Sequence, residues 1–256
     1  MIKAIAFDLW ETLITNTPEM GREQKRLRHE RMDAILAAAG FTLTQEAFEH
    51  AFRVSWRRCH DLYWSVDRDV PCRRQLDHFL EALELAAETF DEPTLAALEE
   101  AYANVAIDVL PKVVAGADDV VRDLRSSGYR LGLISNTGRT PGSALREILQ
   151  RLGLSTALDA MVFSNEHGHC KPVPSIFEEL RAALGVPFEE MLFVGDNLYV
   201  DVHGAQRCGM RAVHFDPPSR GEAVAPPVAH DLTIVPDATI RDLRELPHCI
   251  RALANA

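Results

Sequence analysis

Lysine is nearly missing from this chain of 256 residues, which carries four (Lys3, Lys25, Lys112, Lys171) against 23 arginines. The short stretch GREQKRLRHER (21–31) apart, no basic run offsets the formal net charge of −11. The positive field that draws proteins to phosphate backbones is absent, and no nucleic-acid partner is expected. The five cysteines (Cys59, Cys72, Cys170, Cys208, Cys249) include no CxxC pair. That excludes the usual zinc-site and disulfide-framework spacings and reads as reduced thiols; Cys170 is expected to be a small, half-buried filler. Long apolar runs are missing too. The opening MIKAIAFDLW is cut off by Asp8 after five or six apolar residues, too few for a signal-peptide core or a membrane span. A cytoplasmic protein without a membrane partner is the expectation. Internal repeats and low-complexity tracts are lacking as well.

What remains is an ordinary globular composition, 47% hydrophobic and 25% charged, long enough for one large domain or a domain with a sizeable insertion. Short apolar runs of strand type occur at residues 2–7, 129–135, 160–164, 191–195 and 211–215, with a weaker one, DLTIV, at 231–235. Helical patterns lie between them: GADDVVRDLRSSG, SALREILQRLG, PSIFEELRAALG and DVHGAQRCGM. Alternation of this kind predicts an α/β fold, a Rossmann-like parallel sheet covered on both faces. Residues 16–108 break the rhythm with helical stripes alone and are expected to form an all-helical insertion over the carboxyl edge of the sheet. Residues 1–15 and 109–250 then make the α/β core, with 251–256 as a tail. The stretch 216–230 reads as a Pro-rich surface loop.

In an open parallel sheet, functional groups gather where strands end at their carboxyl edge. Asp8, Ser135, Asn136 and Asp196 terminate three of the apolar runs. Each alone suits an ordinary turn. Together they offer two carboxylates, hard oxygen ligands for Mg²⁺, with a hydroxyl and an amide to donate hydrogen bonds to an anionic substrate. A cation beside Asp8 would offset its repulsion of an incoming anion and orient it as a nucleophile. Lys171, in the loop HGHCKPVP, would add a compact ammonium to the same task.

These residues fall in four short motifs, in order: FDLWETL (7–13), LISNT (133–137), Lys171 within EHGHCKPVPSIF (166–177), and GDNLYVD (195–201) followed by GAQRCGM. The set resembles the haloacid dehalogenase (HAD) superfamily of hydrolases across the whole core. The resemblance implies that Asp8 attacks the substrate and that Ser135, the backbone around Asn136, and Thr137 hold the transferred group. It implies further that Lys171 stabilises charge and that Asp196 binds Mg²⁺ with Asp201 in support. The helical segment looks like the family's C1 cap, which opens to admit substrate and closes to exclude water.

One position departs from the pattern. Phosphatases of this superfamily usually carry a second Asp two residues after the nucleophile, as general acid and base; here Trp10 occupies it, and only its backbone carbonyl can serve a metal. Indole exchanges no proton near neutral pH. A phosphohydrolase of this sequence would need a substitute acid, from Glu11 at the family's usual Gly position or from His60 or Asp61 in the helical segment. Three alternatives stay open. The superfamily's 2-haloacid dehalogenases lack this Asp and release a halide that needs no proton, but they work without metal. Phosphonoacetaldehyde hydrolases use a cap lysine as Schiff base, for which only Lys25 is at hand. A noncatalytic binding protein is the third.

A Mg²⁺-dependent phosphatase acting on a small phosphorylated metabolite, as a monomer or homodimer, is the leading expectation. Residues 55–74 combine Trp56, Tyr63 and Trp64 with Arg57, Arg58, Arg68, Arg73 and Arg74. The mixture suits an anionic aromatic ligand, and equally a segment with aromatics inside and arginines outside.

Overall fold

The computed structural model describes residues 1–218 and 233–254. Eight strands are present among them: β1 (Ala4–Phe7), β2 (Ile14–Thr15), β3 (Lys112–Val113), β4 (Arg130–Ser135), β5 (Ala160–Phe163), β6 (Met191–Gly195), β7 (Arg211–Phe215) and β8 (Ala238–Ile240). Six form one sheet in the order β5-β4-β1-β6-β7-β8, all neighbours parallel. Such a sheet must be covered on both faces, and the alternation along β1 shows how. Ile5 and Phe7 enter one hydrophobic cluster, while Ala4 and Ala6 enter the other.

Helices supply the covering layers. Between β2 and β3 run α1 (Pro18–Ala38), α2 (Gln45–Leu62), α3 (Cys72–Ala82), α4 (Glu92–Ala103) and the short α5 (Val105–Asp108). Then come α6 (Ala117–Ser126), α7 (Gly142–Arg151), α8 (Ser164–His167), α9 (Pro174–Leu184), α10 (Gly204–Arg207) and α11 (Leu246–Ala254). A π-helical stretch, Leu198–His203, precedes α10. Local chemistry sets the starts of the long helices. Thr17, Thr44 and Asp91 each accept a hydrogen bond from a first-turn N–H of α1, α2 and α4.

The segment α1–α5 is helical throughout and has its own core, in which Met32, Leu36, Phe48, Leu76, Phe79, Leu98 and Tyr102 are buried. Its two ends are tied together, because β2 and β3 pair antiparallel through Ile14 with Val113 and Thr15 with Lys112. This two-residue ribbon is too short to leave a periodic signal in sequence.

One expectation is corrected. Residues 233–235 form no strand, and 231–232 lie outside the described residues. The sixth strand of the sheet is β8 instead. Asp237 sets its start: the carboxylate accepts from the Ala212 N–H at 2.8 Å and pairs with Arg211 at 2.9 Å, which fixes the register against β7. The expected tail at 251–256 is helical up to Ala254, because Leu246, Ile250 and Leu253 pack on the core; residues 255–256 lie outside the described residues. So does most of the Pro-rich stretch 216–230. No helix among the described residues is long and apolar enough to cross a membrane.

Candidate active site at the carboxyl edge of the sheet

Strand ends and the loops beyond them place the site residues. Asp8 leaves the end of β1, with its own N–H bonded to Val194 O at 2.9 Å. Lys171 arrives from the loop between α8 and α9 and is 1% exposed. Its ammonium donates to Asp8 Oδ1 at 2.6 Å, Asp201 Oδ1 at 2.6 Å and Ile134 O at 3.1 Å. Asp201 lies in the π-helical stretch beyond β6, its other oxygen accepting from the Asn197 N–H at 3.0 Å. Gly195 leaves room for it: a Cβ there would stand 2.4 Å from the Asp201 carboxyl carbon, so any side chain would evict the carboxylate.

Asp8, Asp196 and Asp201 each present an oxygen, and the three oxygens lie within 4.8 Å of one another. Burial pushes the Asp8 carboxyl up to about 6, with the Lys171 charge pulling down and Asp201 pushing further up. Burial opposes the Lys171 ammonium, but the Asp201 and Asp8 carboxylates outweigh it and hold the amine above its ordinary range. Lys171 is therefore a permanent cation here. Replacing it by Met would leave two carboxylates buried without their counter-charge, a loss of about 3–5 kcal/mol. Protonation relieves such a pair, so Lys171→Met in chelator should unfold at much lower urea than the parent at pH 7.5 and recover much of the gap at pH 5. An equal deficit at both pH values would contradict the buried charge.

The second motif is held by side chains that sequence reasoning assigned otherwise. The Asn136 side chain is engaged within the protein. It forms a reciprocal pair with the backbone of Lys171, Nδ2 to Lys171 O at 3.1 Å and Lys171 N–H to Oδ1 at 2.8 Å. Thr137 donates its hydroxyl to Asp69 at 3.1 Å and its N–H to Ser164 Oγ at 2.9 Å. Ser135 is fully buried at the end of β4. With the hydroxyl and N–H of Thr137 engaged, the Ser135 hydroxyl, 3.5 Å from Asn136 O, and the backbone around Asn136 are what this edge can turn to an anion.

The expected substitutes for a proton donor are not brought to the cluster. Glu11 accepts from Thr15 Oγ1 at 2.8 Å and lines a separate cavity with Lys112 and Arg241. Its φ of 61° lies in the left-handed region that favours glycine, and the turn back to Ile14, with Glu11 N–H on Ile14 O at 2.7 Å, requires it. His60 and Asp61 are exposed and bonded to each other at 2.9 Å. Trp10 packs its indole against the sheet core beside Ile14. Lys25 is ion-paired with Glu49 at 3.1 Å on the surface of α1 and does not line the cavity beside Lys171.

A cavity of about 280 Å³ adjoins Lys171 and is lined by Asn136, Thr137 and Gly138 from the sheet edge and by Trp56, Trp64, Asp67 and Asp69 from the helical segment. The aromatic and basic residues of 55–74 thus separate. Trp56 and Trp64, in edge contact at 4.5 Å, face this cavity. Arg58, Arg73 and Arg74 pair instead with Glu81, with Glu92 and Glu99, and with Asp77. All five cysteines are free, and Cys170 is fully in the interior rather than half-buried.

Sequence reasoning missed Asp69, Ser164 and Arg139. Ser164 follows β5 at the same edge as Ser135 and was open to the same rule. Asp69 left no signal, since its partners are far away in the chain. Arg139 runs the other way, from the sheet edge into the helical segment. Its guanidinium lies 3.5 Å from the Phe52 ring centroid and donates to Tyr102 Oη and Phe52 O at 3.2 and 2.9 Å.

A parallel α/β sheet with helices on both faces and buried acidic and lysine groups at its carboxyl edge is a known hydrolase architecture. A solved 2-haloacid dehalogenase from Pseudomonas syringae shares this fold with a TM-score of 0.72 and 23% identity, covering 99% of this chain and 100% of that one. The family model for haloacid dehalogenase-like hydrolases matches residues 2–209, and the chain belongs to that family, as its ordered motifs implied. Among curated relatives, a glyceraldehyde 3-phosphate phosphatase from Pyrococcus abyssi is 31% identical over 84% of this chain and 82% of its own. The protein of that name from Methanopyrus kandleri is 31% identical over the full length of both.

Proposed function

We propose that the chain is a Mg²⁺-dependent phosphohydrolase of small phosphorylated metabolites, with Asp8 as nucleophile. The observation that carries this reading is the gathering of acid oxygens: Asp8 and Asp201 share the Lys171 ammonium, and an Asp196 oxygen lies within 4.8 Å of theirs. Asp8, Asp196 and Asp201, with the Trp10 carbonyl, offer the hard oxygen donors that suit Mg²⁺. The cation would neutralise the phosphoryl oxygens and orient the reacting carboxylate. Lys171 takes Asp8 Oδ1, which leaves the second carboxylate oxygen to attack phosphorus in line and expel the leaving oxygen, which takes its proton from solvent water, giving an aspartyl-phosphate that water then hydrolyses. Ser135 and the backbone around Asn136 hold the transferred group, and Lys171 offsets the charge it develops. The phosphatase names of the relatives at 31% identity support the substrate class.

Residues 16–108 would act as a C1-type cap on a core of 1–15 and 109–250. The shared lining of the cavity beside Lys171 supports that division. Free thiols throughout suit a reducing, cytoplasmic setting.

Phosphate release from a panel of phosphomonoesters, with Mg²⁺ and with chelator, tests the reading; release in chelator alone would overturn the metal dependence. A second reading has one observation in its favour. Trp10 brings no proton, which suits carbon–halogen cleavage, and halide release from 2-haloacids regardless of chelator would establish it.

A pH profile adds a further check. Asp8 attacks only as the carboxylate, so kcat/KM rises as pH climbs through its pKa, about 6 without a cation. A cation beside it favours the charged form. Raising Mg²⁺ should therefore move the acid limb to lower pH, and a limb indifferent to Mg²⁺ would argue that the ion binds elsewhere.

A further inference from the structure

Asp69 lies in the turn between α2 and α3, where a carboxylate would ordinarily face water, yet it is 6% exposed. Its burial is matched by donors. Oδ1 accepts from Trp64 Nε1 at 2.9 Å and the Val70 N–H at 2.8 Å, and Oδ2 accepts from Thr137 Oγ1 at 3.1 Å and from Ser164 Oγ. Backbone bonds strap the turn to the loop that carries Lys171: Asp69 N–H to Gly168 O at 3.1 Å and Cys170 N–H to Asp67 O at 2.8 Å. Each oxygen thus bridges a different part of the protein, one the helical segment, the other the sheet edge.

The two hydroxyls it holds are not isolated. Ser164 Oγ accepts the Thr137 N–H at 2.9 Å, and Thr137 follows Asn136, whose side chain is locked to the Lys171 backbone. We propose that Asp69 is a positioning residue: reaching in from the helical segment, it fixes Thr137 and Ser164 so that the 135–137 edge is preorganised for a phosphoryl group only while the segment is docked. The inference rests on the phosphoryl-holding role given above to that edge. It separates from simple docking because another contact docks the same segment without touching Thr137 or Ser164. Gln75 Nε2 donates to Gly138 O at 2.8 Å.

The test compares the full-length parent with Asp69→Ala, Asp69→Asn and Gln75→Met. Amide exchange of residues 133–139 and affinity for inorganic phosphate in Mg²⁺ are the two readouts. In Asp69→Ala, exchange at Thr137 should quicken about tenfold and phosphate bind about tenfold more weakly, the effect of one or two lost hydrogen bonds. Asp69→Asn, which still bridges Trp64 and the hydroxyls, should restore most of both. Gln75→Met should change neither. Unaltered exchange in Asp69→Ala, or equal acceleration in Gln75→Met, overturns the proposal. Should Asp69→Ala not fold, Thr137→Val cuts the same link from the other end and is expected to quicken exchange alike; no change there is equally fatal. A parent that binds no phosphate removes the phosphohydrolase reading, while exchange still decides the positioning.

Discussion

Asp8→Asn is expected to abolish turnover while leaving the protein folded. The amide keeps an oxygen for the Lys171 ammonium, which donates to Asp8 Oδ1 at 2.6 Å, and Asp201 stays on the same ammonium, where it would still serve the proposed cation. What disappears is the anionic oxygen proposed to form the bond to phosphorus, and removing a covalent nucleophile costs about 10⁴-fold or more in kcat. Phosphate release under single-turnover conditions measures it, with acid quenching to look for a phosphorylated protein in the parent. Activity above about 1% of the parent in a preparation free of deamidation would show that Asp8 is not the nucleophile.

Trp10→Asp is expected to act in the opposite direction. A carboxyl two residues beyond Asp8 can give a proton to the departing oxygen and later take one from the attacking water, steps worth about 10²–10⁴-fold. The gain has a signature. An alkyl phosphate, whose leaving oxygen is strongly basic, should benefit by the larger factor, whereas p-nitrophenyl phosphate, whose leaving oxygen needs no proton, should gain little. The indole now packs half-buried against the sheet core, so the variant also loses about 2 kcal/mol of apolar burial, and rates must be referred to folded protein. A uniform change across leaving groups would mean that position 10 does not govern proton transfer.

Much of the architecture was legible because a parallel sheet writes itself locally. Buried strands such as β4 and β6 carry the apolar runs LGLI and MLFVG, and Asp8, Ser135 and Asp196 follow such runs directly. Legibility failed where structure depends on partners distant in the chain. β8 is three residues long and is positioned by Asp237 and β7 rather than by its own hydrophobicity. β2 and β3 are two residues each and exist only as a pair. The cluster around Lys171 came through in residue identity but not in detail. That Asn136 and Thr137 spend their side chains on Lys171 and Asp69 is a matter of long-range hydrogen bonding that no spacing announces.

The crossing of Asp69 into the sheet edge and of Arg139 into the helical segment also bears on how such proteins can be recombined. A helical segment grafted onto another member's sheet would carry Asp69 to a place that must offer two hydroxyls, and the host's own loop would have to forgo a guanidinium lodged on Phe52. Chimeras that exchange residues 16–108 alone should misdock or express poorly. Those that move positions 137, 139 and 164 with the segment should assemble, so the unit of inheritance is larger than the insertion itself.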